Sequence, residues 1–157
     1  MSRDGYNKTH TGNLLFHLTI LLLFLFSPAT AGGCGALTPC GEVENRSNTP
    51  MLYTYKFADD NSGPHKCDTW NHGGGNTVKD RIVSCDQQSF GKGSRGGGSK
   101  DVDAFSFANR DYIVSVHGAS SRTIKRGKWT KISNLERAIC WDDAILGKLA
   151  CTVDYDL

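Results

Sequence analysis

Between residues 51 and 58 the sequence MLYTYKFA sets Met51, Tyr53, Tyr55 and Phe57 on one side of an extended chain and Leu52, Thr54, Lys56 and Ala58 on the other. That period of two predicts a strand. Turn formers follow in Asp59-Asp60-Asn61-Ser62-Gly63-Pro64, so the chain loops there. Comparable runs predict strands over 77–85, 102–107, 111–117, 128–133 and 149–155. Ala108-Asn109-Arg110 reads as the tight hairpin connection between the strands at 102–107 and 111–117, and 118–127 as a loop.

The segment from Ser133 to Gly147 fits two patterns. Ser133 with Glu136 satisfies a helix capping box, Leu135, Ala138, Ile139, Asp142 and Leu146 lie near one helical face, and Gly147 suits a helix C-terminus. Asp142 interrupts that face, however, and Ala138-Ile139-Cys140-Trp141 reads equally as a strand ending at Asp142-Asp143; the strand is preferred. Gly91 to Ser99, GKGSRGGGS, offers no side chain that would anchor it in a core and reads as a mobile surface loop. Short strands with glycine-rich turns and no long helical period predict an all-β chain with at most one short helix, folded as a small disulfide-stabilised β-sandwich or barrel.

The amino terminus adds a compartment. Residues 14–26, LLFHLTILLLFLF, are preceded by Arg3, Lys8 and His10 and followed by Ser27-Pro28-Ala29-Thr30-Ala31. The run is shorter than the ~20 apolar residues a membrane span needs, so 1–31 reads as a signal peptide and 32–157 as a single secreted cysteine-rich β domain, with no membrane attachment once the leader is removed. All six cysteines lie after the leader, in an oxidising route where pairing is expected. Spacing favours Cys67–Cys85 and Cys140–Cys151, with Cys34–Cys40 left by elimination. Zinc is disfavoured although His65 and His72 flank Cys67, because no Cys-x-x-Cys pair exists.

With 157 residues, 38% hydrophobic content and a formal net charge of +2, the chain is too small for a multidomain enzyme and too near neutral for charge to name a partner. Gly91, Gly93 and Gly96 match G-x-G-x-x-G, but a strand-like segment follows where a phosphate cradle needs a helix N-terminus. Arg122, Lys125, Arg126, Lys128 and Lys131 form a basic run that reads as a solvated loop and edge strand, with Lys125-Arg126 a candidate dibasic processing site. Nucleic acid is not an expected partner. Asn45-Arg46-Ser47 is the glycosylation sequon of the mature chain. No cofactor and no metal is expected, and neither G-x-S-x-G nor H-E-x-x-H occurs.

Two constellations bear on function. Trp70, Asn71 and His72, beside the glycines at 73–75, combine an aromatic with hydrogen-bonding groups on a pliant turn, and are the candidate binding residues for an extracellular protein or glycan; the loop at 91–99 is a secondary contact. The competing reading has Trp70 filling the core beside a Cys67 disulfide. Pro64-His65-Lys66 and His117-Gly118-Ala119-Ser120 resemble segments of the small secreted fungal ribonucleases of the guanyl-specific type. That resemblance, over about 20 residues, implies acid–base chemistry by His65 and His117. The chain departs from it in having no Glu between the two histidines, and Ala104 or Phe105 stands near where the family carries its arginine. In leader, size, cysteine number and glycine loops the chain resembles fungal secreted effectors and antimicrobial or killer-type toxins in style. The expected function is therefore extracellular binding, with a ribonuclease-like hydrolase, or a catalytically dead relative of one, as the alternative.

Overall fold

A computed structural model describes residues 34, 40–58, 64–70 and 81–155, all within the unit Gly32–Leu157. The signal-peptide reading of 1–31 lies outside these residues. The described residues form eleven strands: β1 Glu42–Asn45, β2 Met51–Ala58, β3 His65–Trp70, β4 Arg81–Phe90, β5 Ser94–Gly96, β6 Ala104–Ser106, β7 Tyr112–Val116, β8 Arg122–Ile124, β9 Lys128–Lys131, β10 Glu136–Asp143 and β11 Lys148–Tyr155. The described residues contain no helix. The fold is all-β, as the patterning predicts, and it divides into a six-stranded sheet ordered β5-β1-β10-β11-β7-β8 and a closed barrel ordered β2-β4-β3-β9-β6.

The disulfides are Cys67–Cys85 and Cys140–Cys151, the two that spacing favours, and Cys34–Cys40, the one left by elimination. Cys140 and Cys151 stand opposite one another in the β10–β11 ladder and fix its register covalently. Cys67 and Cys85 join β3 to β4 inside the barrel, where they pack with Val83, Ala104 and Trp129. A second and larger core, including Val43, Met51, Phe105, Phe107, Tyr112, Val114, Leu149 and Val153, fills the space where sheet and barrel meet. Tyr112 ties the two bodies together. Its hydroxyl donates to Lys128 O at 3.0 Å and lies 2.7 Å from Thr130 Oγ1, both on β9, and its ring packs against Phe105 and Phe107.

Several local expectations are corrected. The connection at 108–110 is no hairpin, because β6 pairs with β2 and β9 in the barrel whereas β7 pairs with β11 and β8 in the sheet. It carries the chain from one body to the other. The alternation along β2 breaks at a bulge between Thr54 and Phe57, where Thr54 Oγ1 donates to Lys56 O and accepts from Lys56 N. Phe57 therefore packs with Leu52 in the barrel core, while Tyr53 and Tyr55 face the larger one.

The glycine segment at 91–99 is not a wholly mobile loop either: Ser94–Gly96 forms β5, paired antiparallel with β1. A Cβ on Gly96 would stand 3.0 Å from Val43 Cγ2 and 3.1 Å from the rings of Phe90 and Tyr53, so this glycine lets the strand approach the core closely. Three further strands, β1, β3 and β8, fall where no strand was expected, β8 inside the segment read as a loop. The segment after Ser133 is a strand, yet half of its capping box survives. Ser133 N donates to Glu136 Oε2 at 2.6 Å and Glu136 N to Ser133 O at 3.0 Å, closing a β-turn that enters β10 instead of a helix. Gly147, at φ +61°, closes the β10–β11 hairpin.

Candidate functional site

The chain crosses between barrel and sheet twice in close company, after β6 and again between β8 and β9. Gly127 N donates to Phe107 O at 2.8 Å, tying the crossings together through their backbones. Asp111 completes the link by accepting from Lys125 Nζ at 2.8 Å and from Arg126 N at 2.9 Å. Those bonds, the Lys125 side chain foremost, hold the Asp111 carboxyl below its ordinary range. Between the crossings lies an open cleft of about 550 Å³ lined by Asn109, Arg110, Asp111, Lys125 and Arg126. Among the described residues no apolar side chain lines it.

Arg110 is anchored from the opposite side. Its guanidinium donates to Asp142 Oδ1 at 2.7 Å, to Gly147 O at 3.3 Å and to Thr49 Oγ1 at 3.5 Å. Asp142 Oδ2 accepts from the backbone and side-chain nitrogens of Asn48 at 2.8 and 3.0 Å, and Asn48 Oδ1 accepts from Lys92 Nζ at 3.2 Å. The Asn48 backbone N–H, followed by Arg110, keeps the Asp142 carboxyl below its usual range. Arg126 has no such tether: its guanidinium makes no hydrogen bond or ion pair among the described residues. Of the three cations in the cleft wall, Arg110 is paired with Asp142 behind it and Lys125 with Asp111, which leaves the Arg126 guanidinium open to a ligand. A guanidinium with uncommitted donors is chemically suited to a carboxylate, sulfate or phosphate oxygen.

The basic run of the sequence is dispersed by the fold. Lys128 Nζ reaches Asp68 Oδ1 at 2.8 Å, Lys131 lies over the Phe57 ring, and Arg122 opens the edge strand β8. Lys125 and Arg126 alone of that run enter the cleft, where they meet residues from a segment that resembles a hairpin turn in sequence. No local signal joins 109–111 to 125–126. Their proximity follows from two crossings between separate β bodies.

The other candidate residues fall elsewhere. Trp70 ends β3, while its side chain, Asn71 and His72 lie outside the described residues. His65 is exposed on β3 of the barrel, and His117 follows β7 of the sheet, so the two histidines stand on different bodies. His117 adopts φ +48°, stacks on Tyr155 at 4.0 Å and places Nε2 2.9 Å from Oε1 of Glu136, a carboxylate 2% exposed. The sequence comparison missed this acid because it comes from β10, far outside the interval between the histidines. Asn45 is fully buried, and its Nδ2 donates to Thr49 O at 2.9 Å and Phe90 O at 3.5 Å. In this fold the nitrogen that a glycan would occupy is enclosed and committed to those two carbonyls. Among the described residues no group of His, Cys, Asp and Glu could hold a metal ion. No family model, curated protein or solved structure matches the chain.

Proposed function

We propose that the protein is a secreted, disulfide-stapled β domain that acts outside the cell by binding an acidic glycan on the surface of a host or a competing organism. The observation that supports this reading is the cleft between the two crossings, with Arg110, Lys125 and Arg126 around Asp111 and Asn109. Guanidinium forks hold oxyanions in fixed geometry, and the Asn109 amide suits sugar hydroxyls. The three disulfides are in keeping with an oxidising destination. Calorimetric titration with a sulfated dodecasaccharide tests the reading. Lys125→Gln/Arg126→Gln is expected to weaken binding about 10-fold to 100-fold, the loss of one or two charge-assisted contacts. A double variant that binds as tightly as the parent would remove the cleft from the account.

A second reading, a ribonuclease-like hydrolase, is favoured by one observation, the contact between His117 and the Glu136 carboxylate. A histidine oriented by a buried acid is a familiar arrangement for proton transfer. Digestion of RNA by the purified protein and by His117→Ala decides this reading: cleavage that is absent, or equal in both, ends it.

A further inference from the structure

A separate cluster lies on the six-stranded sheet. Along β1, Val43 points into the core, and along β10 so do Ala138 and Cys140; strand alternation therefore sends Glu44 and Arg137 to the opposite face, away from the barrel. There Glu44 meets three guanidiniums: Arg46 Nε lies 2.7 Å from Oε1, while Arg137 Nη2 and Arg95 Nη2 lie 2.8 and 3.1 Å from Oε2. The side chain of Glu44 is 10% exposed, whereas those of Arg46 and Arg95 are 54% and 61% exposed. One carboxylate thus positions more positive charge than it neutralises. Glu42 and Asp154, both in register with Arg137, balance the charge over this face as a whole, so what the cluster offers an anion is the pair of exposed guanidiniums that Glu44 holds, not a net excess of charge. Arg46 commits only Nε to Glu44 and Arg95 only one terminal nitrogen, so each guanidinium keeps donors for an incoming anion. Arg46 foremost holds the Glu44 carboxyl below its ordinary range, so the anchor stays ionised.

We propose that Arg46 and Arg95, positioned by Glu44, form a second anion site, and that it takes a sulfate group of the acidic glycan. This rests on the glycan reading of the cleft and makes the protein bivalent for that ligand. A planar carboxylate that takes one guanidinium in a bidentate fork has both oxygens engaged in one plane, whereas the three tetrahedrally set terminal oxygens of a sulfate ester leave one directed at the second guanidinium. Holding both guanidiniums beforehand lowers the ordering cost of binding.

The test follows the Arg46 and Arg95 Nε–Hε signals by NMR while a sulfated dodecasaccharide is added to the full mature protein, with polygalacturonate of similar length in parallel. The proposal expects both signals to shift with the sulfated chain and to shift less with the carboxylated one. Arg95→Gln leaves Glu44 with Arg46 and Arg137 and so keeps the fold; it is expected to lose about 10-fold in affinity, while amide shifts at 109–111 and 125–126 persist. Unmoved Arg46 and Arg95 signals, an Arg95→Gln protein that binds like the parent, or a preference for polygalacturonate would overturn the second site. Loss of binding confined to Lys125→Gln/Arg126→Gln likewise counts against it and leaves the cleft standing. Loss confined to Arg95→Gln supports the second site and refutes the cleft.

Discussion

Replacing Asp103 by Asn removes a carboxylate that the fold disfavours. Asp103 precedes β6, where its backbone N donates to Thr54 O at 2.9 Å and its carbonyl accepts from Ile132 N at 3.0 Å, so the main chain holds the residue whatever its side chain carries. Burial, reinforced by Asp101, raises its carboxyl from 3.8 to about 6 against the opposing pull of Lys131 and the Phe57 N–H. The unfolded chain releases this proton near 3.8, so native stability falls as pH rises from there to about 6 and stays lowered above it. That difference corresponds to at most ~3 kcal/mol. Because Asp103 is only half-buried, solvent screening reduces the expected gain in Asp103→Asn to about 1–2 kcal/mol at pH 7.5. Below pH 3.8 the neutral acid and the amide differ little, and the gain vanishes. Urea unfolding with the disulfides intact, followed by tryptophan fluorescence at pH 3.5 and pH 7.5, reads both numbers. A variant that is no more stable than the parent at pH 7.5, or equally stabilised at both, would refute the reasoning.

Other consequences are equally open to measurement. Cys140→Ala/Cys151→Ala opens a loop of 11 residues and should cost about 3 kcal/mol in the chain-entropy model, seen as a lowered urea midpoint. Gly96→Ala should destabilise by about 1–3 kcal/mol, because its Cβ meets Val43, Phe90 and Tyr53 at 3.0–3.1 Å, and thermal unfolding checks this. Intact-mass analysis of protein secreted from a eukaryotic host should find no glycan on Asn45, whose amide is committed to Thr49 and Phe90. His117→Ala removes one partner of a carboxylate 2% exposed and should cost about 1–3 kcal/mol while leaving glycan affinity unchanged.

What the sequence makes legible is what local periodicity and covalent spacing encode. Alternation locates β2, β7, β9 and β11 to within a few residues, and the cysteine intervals point to two of the disulfides and leave the third by elimination. Alternation fails where pairing is decided elsewhere in the chain. The strand β5 carries only Ser94-Arg95-Gly96 and exists because β1 offers it an edge, while β1 itself lies against β10 in parallel register across more than ninety residues. The bulge at Thr54 depends on a side-chain bond to Lys56 that no hydropathy pattern reports. A capping box at Ser133 and Glu136 describes the turn correctly and the element after it wrongly, since the same bonds open a helix or a strand. For the cleft, a run of cations is visible in sequence, but the partners that make Lys125 and Arg126 a site are Arg110 and Asp111 on the other crossing.

Backbone amide NMR of the isotope-labelled protein, titrated with a short sulfated glycan, tests most directly whether the crossings form the recognition surface. The account predicts saturable shifts centred on Asn109, Arg110, Asp111, Lys125 and Arg126 that fade as salt rises. Saturable binding that leaves those five amides unmoved, or no binding at all, would contradict it.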